Sequence, residues 1–249
     1  MKTLIMSSSF TFYRKDEMGN KIPQIIDNNN GFLDTLQKLL TKRDCCVIIS
    51  GNPKRQNRQN PEDIMRRGFA LSGLQFKEYI YVDDNNKHKI KEYIEKADLI
   101  DLCGGHLPTC NAFIQELDLK ELLKEFNGVI IGTSGGAMNM AETVYCIPEI
   151  EGEHTDKNFN RYLKGLGLTN INIIPHFQYF VTMQFSDGIK IVEDVILPDS
   201  ANTPMIALPD GSYVVQQGEK IKIYGESYYL DGAINKICSN DCVETIKQD

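Results

Sequence analysis

The sequence has few of the features that would direct a protein to a membrane, a nucleic acid or a metal ion. None of its apolar runs approaches the length needed to span a bilayer. The formal net charge of −7 argues against nucleic acid or anionic lipid as a main partner. Only four histidines are present, and none is spaced to complete a zinc site with Cys238 and Cys242. We therefore expect no metal site, no nucleic-acid partner and no membrane association.

The cysteines do not form the even set that is typical of small secreted domains. There are seven, and Cys45, Cys46 and Cys103 lie in apolar, strand-like runs. This usage predicts reduced thiols in a cytoplasmic protein rather than a disulfide framework. Cys238 and Cys242 near the C-terminus are the exception, and we interpret them as structural or incidental. The N-terminal apolar stretch is too short for a signal peptide and runs into charged residues, so we expect a first core strand there.

Apolar runs that suit buried strands alternate with segments of helical periodicity as far as residue 143. This alternation predicts a mostly parallel, doubly wound sheet with helices on both faces. Farther along, short β-like runs alternate with turn residues, which predicts antiparallel hairpins at the C-terminal end. No internal repeat or low-complexity linker divides the chain, so we expect one α/β domain over residues 1–249. The predicted strands are 2–9, 45–51, 77–83, 99–105, 128–133 and 168–177, and the predicted helices are 29–42, 61–75, 85–97, 108–126, 135–143 and 186–197.

A serine lies at the end of one predicted strand, between closely spaced glycines. Gly132, Ser134 and Gly136 form a G-x-S-x-G pattern directly after the apolar run 129–131. This pattern is typical of a nucleophile elbow, a sharp strand-to-helix turn that lifts a serine hydroxyl above the sheet. An ordinary glycine-rich turn or a phosphate-binding loop would look similar. A Walker-type loop is excluded because no lysine follows the glycines.

A serine nucleophile requires a base, and the four histidines differ in their positions. His176 closes a predicted strand and follows the serine in the sequence, which makes it the best candidate. His106 follows two glycines at another predicted strand end. His88 lies in a charged surface segment and His154 in an acidic, irregular one.

Five segments in order resemble one known family. They are "TLIMSSS", "LIDLCGGHLPTCNAFIQELDLKELL", "IIGTSGGAMNMA", "IIPHF" and "IALPDGSYVV", and together they extend from residue 3 to about residue 232. The order and content of these motifs resemble the dipeptidase E and cyanophycinase family of serine peptidases. The resemblance implies a flavodoxin-like fold similar to that of the class I glutamine amidotransferases. It also implies a cofactor-independent serine peptidase, monomeric or homodimeric, that hydrolyses small peptides.

The resemblance also implies roles for particular residues. Ser134 would be the nucleophile and His176 the base, and the backbone N–H groups of Gly135 and of the Gly104-Gly105 turn would form the oxyanion hole. His106 replaces an asparagine that is usual in the family, so we assign it to substrate binding, with a second imidazole near the serine as the alternative.

The acid of the triad is the least direct assignment. In dipeptidase E an aspartate lies fifteen residues after the serine, and the same offset here gives Glu149. The segment 144–165 is longer here than is usual in the family, so Glu151 and Asp156 stay candidates, with Glu142 below them.

Two other kinds of function stay open at this point. One is a different serine hydrolase, such as an esterase or amidase, and the other is a binding protein with a degenerate site. A glutamine amidotransferase is disfavoured because that chemistry uses cysteine at the elbow, where this chain has Ser134.

Overall fold

The computed structural model describes residues 2–54, 59–240 and 242–247. Its strands are β1 (Thr3–Ser7), β2 (Tyr13–Lys15), β3 (Lys21–Pro23), β4 (Cys45–Ile49), β5 (Glu78–Val82), β6 (Leu99–Leu102), β7 (Val129–Thr133), β8 (Thr143–Tyr145), β9 (Tyr162–Lys164), β10 (Ile173–Ile174), β11 (Met205–Ala207), β12 (Tyr213–Gln217), β13 (Lys220–Tyr224), β14 (Ser227–Leu230), β15 (Ile234–Cys238) and β16 (Val243–Lys247). Its α-helices are α1 (Phe32–Leu39), α2 (Pro61–Leu71), α3 (Ile90–Lys96), α4 (Leu107–Glu116), α5 (Leu119–Leu122), α6 (Gly135–Met138), α7 (Phe177–Phe180) and α8 (Leu197–Ser200), with a π-helical segment Ile191–Ile196 before α8.

The central sheet has eight strands in the order β16-β13-β12-β1-β7-β6-β4-β5. The five strands from β1 to β5 in this order run parallel to their neighbours. The three C-terminal strands β12, β13 and β16 extend the sheet in antiparallel pairing. The predicted fold class, an α/β fold with a mostly parallel sheet and C-terminal antiparallel hairpins, is therefore confirmed.

Alternation along the buried strands supplies one apolar core on each face of this sheet. In β1, Leu4 and Met6 face one core while Ile5 faces the other. Helices α3 and α4 cover the first face, and α1 and α2 cover the second. Because the central strands are buried on both sides, they read as continuous apolar runs in the sequence.

A second sheet, in the order β10-β11-β14-β15, packs beside the first. Strands β10 and β11 are parallel, with Ile174 opposite Ala207. The segments that follow these two strands therefore leave the same edge of the sheet next to each other. A third apolar cluster, which includes Tyr145, Phe177 and Ile196, supports this edge.

Several elements after residue 134 differ from their predicted bounds. The predicted helix 135–143 stops at Met138, and residues Thr143–Tyr145 form a strand instead. The predicted strand 168–177 is reduced to Ile173–Ile174, because Pro175 has no N–H to donate and His176 has the left-handed φ of 53°.

Near the N-terminus, the short hairpin of β2 and β3 was not predicted.

The cysteines divide into two groups. Cys45, Cys46, Cys103, Cys110 and Cys146 are free thiols. Cys238 and Cys242, which the sequence analysis treats as an exception, form a disulfide that joins the end of β15 to the residue before β16. Among the described residues, no helix is long and apolar enough to cross a membrane.

Candidate active site

The G-x-S-x-G segment forms a tight turn between β7 and α6. Ser134 has φ 54° and ψ −122°, a strained conformation for a residue with a side chain. The flanking glycines are required by close packing. A Cβ atom on Gly132 would lie 2.6 Å from the backbone nitrogen of Ala137, and one on Gly136 would lie 1.9 Å from the carbonyl oxygen of Leu102. The glycines thus allow the chain to turn sharply enough to present the serine hydroxyl.

The side chain of His176 reaches the hydroxyl of Ser134. Its Nε2 atom lies 3.0 Å from Ser134 Oγ. The backbone N–H of His176 donates to Ser8 Oγ at 2.7 Å, which fixes the chain where it leaves β10. The structure therefore brings together the two residues that the sequence analysis assigns as nucleophile and base.

The carboxylate on the other ring nitrogen of His176 belongs to Asp210. The distance from His176 Nδ1 to Asp210 Oδ1 is 2.7 Å. The hydroxyl of Ser8 donates to the same oxygen at 2.9 Å, and the backbone N–H of Asp210 donates to Gln178 Oε1 at 3.0 Å. Ser8 and His176 therefore contact the same carboxylate oxygen, and Gln178 restrains the backbone of Asp210.

The electrostatic surroundings keep Asp210 ionised. Burial acts to raise the pKa of Asp210, but its hydrogen bond to His176 and the attraction of the His176 ring outweigh burial. The hydroxyl of Ser8 lowers the pKa further, so the net shift is downward. A carboxylate that stays negative can stabilise an imidazolium on its neighbour.

Glu149 does not occupy the position that the sequence analysis gives it. Its backbone N–H donates to Glu153 Oε2 at 2.9 Å, and its carboxylate accepts no hydrogen bond from the described residues. Burial raises the pKa of Glu149, and the charges of His106 and His176 partly offset this. Glu149 is thus near the site without contacting the imidazole, and the carboxylate that does contact the His176 ring is that of Asp210.

The other carboxylates considered from the sequence lie elsewhere. Glu151 accepts hydrogen bonds from the backbone N–H and hydroxyl of Ser186. Asp156 accepts from the backbone of Asn158. The carboxylate of Glu142 lies 3.7 Å from Lys120 Nζ.

Asp210 was missed because its neighbour in space is far away in sequence. It lies in the "LPDG" turn after β11, where aspartate before glycine is usual for a turn and needs no further role. Only the parallel pairing of β10 with β11 brings this turn beside His176. The available signal was a carboxylate directly after a buried strand, at the same kind of position as His176.

The groups assigned to the oxyanion hole lie beside Ser134. A Cβ on Gly104 would come within 2.9 Å of Ser134 Cβ, so the 104–105 turn packs against Ser134 and requires glycine. Gly135 is the first residue of α6, where a backbone N–H has no partner within the helix. Among the described residues, the N–H groups of Gly104 and Gly105 donate no hydrogen bond to the protein.

His106 lies next to this turn and contacts the acidic segment that contains Glu149. Its Nδ1 atom lies 3.1 Å from Thr109 Oγ1, and its Nε2 atom lies 3.9 Å from Glu153 Oε1. Its side chain is 46% exposed, which leaves it accessible to a bound molecule. Within the described ranges, no group of three or more histidine, cysteine, aspartate or glutamate side chains could hold a metal ion.

Comparison with known proteins identifies the fold and the family of the chain. The chain has the same fold as the crystal structure of a candidate peptidase E protein from Listeria monocytogenes EGD-e, with a TM-score of 0.58, 12% identity and 100% of each chain covered. No curated protein matches the sequence. Residues 53–224 match the family model of peptidase family S51. The chain therefore belongs to peptidase family S51, the dipeptidase E family, and is a serine peptidase.

Proposed function

We propose that the protein hydrolyses small peptides with Ser134, His176 and Asp210 as its catalytic triad. One observation supports this most strongly. The two ring nitrogens of His176 face Ser134 Oγ at 3.0 Å and Asp210 Oδ1 at 2.7 Å. An imidazole held in this way can take a proton from the serine on one side while the carboxylate stabilises the resulting cation on the other.

The reaction follows from these positions. Nε2 of His176 takes the hydroxyl proton as Ser134 Oγ attacks the peptide carbonyl, and the negative charge moves to the carbonyl oxygen. We assign the backbone N–H groups of Gly135 and of the Gly104-Gly105 turn as the donors to that oxygen, because these residues lie beside Ser134. His176 then gives its proton to the departing amine. Water, deprotonated by the same imidazole, attacks the acyl-enzyme, and Ser134 regains its proton when the acid product leaves.

The triad is accessible to substrates that approach from solvent, and we propose short peptides as its substrates because the chain belongs to the dipeptidase E family. The side chains of His176 and Asp210 are 34% and 46% exposed, so the triad lies at an open edge of the sheet rather than in a deep cavity. We assign His106 and Glu149 to the edge of the substrate site, because both lie beside the 104–105 turn or the His176 ring. We also place the protein in the cytoplasm, which the five free thiols support.

Active-site labelling with a fluorophosphonate tests the proposal. We expect Ser134 to be labelled, labelling to disappear in Ser134→Ala, and the labelled protein to lose dipeptide hydrolysis. Ser186→Ala is the matched control, because Ser186 is an exposed serine whose hydroxyl donates to Glu151 and contacts no histidine of the described residues. Labelling that persists in Ser134→Ala would overturn the assignment. Labelling without turnover of any dipeptide or ester would point to a binding protein.

A further inference from the structure

A small cavity lies beneath the strand that carries the nucleophile, on the face of the sheet covered by α1 and α2. Its volume is about 40 Å³, enough for roughly three groups of the size of water. Its wall is mostly apolar, and it includes half-buried aromatic rings from the segment after β1. Its aromatic wall is formed by Phe10, Phe12, Phe32 and Phe69, and its polar groups are Asp101 and Thr133.

Asp101 is unusual for a buried carboxylic acid because so little in the protein pairs with it. It lies in β6, is 8% exposed, and sits opposite Ile131 of β7. Its hydrogen bond within the described residues comes from Cys103 Sγ, at the long distance of 3.9 Å. No lysine, arginine or histidine of the described ranges forms an ion pair with it. An ionised carboxylate in such surroundings lacks the compensation that buried charges ordinarily have.

We propose that this cavity binds a small primary amine in its ammonium form, with the ammonium donating to Asp101 and the alkyl part packed against the phenylalanine rings. A cation supplies the missing charge and hydrogen bonds for the carboxylate. Aromatic ring faces also attract cations, and four such rings surround the space. The volume admits methylammonium, whereas a guanidinium or a quaternary ammonium is too large.

The cavity is separate from the catalytic contacts, although its walls are next to them in the sequence. Thr133 directly precedes Ser134, and Cys103, which contacts Asp101, directly precedes Gly104. The hydroxyl of Thr133 lies 3.1 Å from Ser7 Oγ. None of the triad residues lines the cavity. Amine binding is therefore independent of the proposed triad and can be tested apart from it.

Binding of a cation should depend on pH, because Asp101 must lose its proton to accept one. Burial raises the pKa of Asp101 to about 7, while the Cys103 thiol lowers it slightly. The other titratable groups that act on this region are the buried thiols of Cys46 on β4 and Cys110 on α4, together with Lys21, whose charge acts on Cys103. The sides contributed by α1, α2 and the segment after β1 are apolar. With that pKa, about a tenth of the carboxyl is ionised at pH 6 and about nine tenths at pH 8, so affinity should rise about tenfold between them.

Saturation-transfer NMR with methylammonium chloride tests this on the whole chain. We expect transfer from aromatic protons to the ligand methyl group, with a dissociation constant about tenfold lower at pH 8 than at pH 6. Methanol is the neutral control of equal size, and tetramethylammonium is the cation that does not fit. Both should show no saturable binding. Ser134→Ala should bind methylammonium as the wild type does, which separates this result from the fate of the proposed triad.

Variants locate the site. Asp101→Asn should abolish saturable binding, and Phe12→Leu, which removes one ring face and keeps the carboxylate, should weaken it about threefold or more. Asp231→Asn, an exposed aspartate that bonds to Asn235, is the matched control and should change nothing. Absence of binding to the wild type at pH 8, or equal affinity at both pH values, would overturn the proposal and leave a cavity occupied by water. The pH comparison uses the wild-type chain alone, so the test stands even where Asp101→Asn does not fold.

Discussion

His176 and Asp210 are separated by 34 positions in the chain, yet their side chains meet at 2.7 Å. The link between them is the parallel pair of β10 and β11, whose ends deliver one residue each to the same edge of the second sheet. Ser8 follows β1 of the first sheet and forms hydrogen bonds with both residues. It thus links this edge to β1, which pairs with β7, the strand that precedes Ser134. The site is thus assembled where two sheets meet, from segments that are distant in sequence.

Replacing Asp210 by asparagine should remove most of the activity. The amide cannot stabilise the imidazolium and can hold the ring in the wrong tautomer, so we expect kcat to fall by about 10⁴-fold with the fold intact. Steady-state hydrolysis of a dipeptide, with circular dichroism for the fold, measures this. Glu149→Gln is the control, since Glu149 does not contact the ring, and it should change kcat by less than about tenfold. The reverse ranking of the two variants would restore Glu149 as the acid.

The two histidines near the nucleophile should differ in which kinetic constant they affect. His176→Ala removes the proton acceptor and should lower kcat by about a thousandfold or more. His106→Ala removes an exposed side chain that touches Thr109 and Glu153, so it should mainly raise KM. Initial-rate measurements over a range of peptide concentrations separate the constants. A large loss of kcat in His106→Ala with little change in His176→Ala would contradict both assignments.

The fold and half of the site follow from local sequence patterns. The buried strands read as apolar runs because both of their faces are covered, and the spacing of Gly132 and Gly136 around Ser134 reflects backbone contacts of that turn alone. Asp210 was not found in this way, because its segment also fits an ordinary turn and only its place after a buried strand sets it apart. Its position depends on the pairing of two short strands.

The elbow glycines should be intolerant of even one methyl group. Gly136→Ala would place Cβ 1.9 Å from the carbonyl oxygen of Leu102, a backbone atom of the central strand β6 and not the end of a flexible side chain. We expect a loss of at least about 2 kcal/mol in the free energy of unfolding. Gly218→Ala is the comparison, because Gly218 has φ 61° with nothing within 4 Å, so it tests backbone strain without a clash. Urea unfolding of both variants measures the difference, and equal losses would mean that packing at the elbow is loose.

The last prediction concerns stability and the buried acid Asp101. Its folded pKa of about 7 lies above the value of about 4 expected in an unfolded chain. Between these values the folded chain keeps the proton and the unfolded chain releases it, so the free energy of unfolding falls as the pH rises toward 7. From pH 5 to pH 8, ionisation of Asp101 alone should lower the free energy of unfolding by about 2 to 3 kcal/mol. Asp101→Asn stays neutral throughout and should lack this decline.

Urea unfolding of the wild type and of Asp101→Asn at pH 5 and pH 8 tests this, because the contributions of all other groups cancel in the difference between the two chains. We expect the free energy of unfolding of Asp101→Asn to increase relative to that of the wild type as the pH rises. That of Asp231→Asn should change with pH as the wild-type value does. Methylammonium at pH 8 should restore part of the free energy of unfolding that the wild type loses between pH 5 and pH 8, since a bound cation compensates the buried charge. Parallel curves for the wild type and Asp101→Asn would mean that the Asp101 carboxyl ionises at an ordinary pH and that the cavity imposes no cost on its charge.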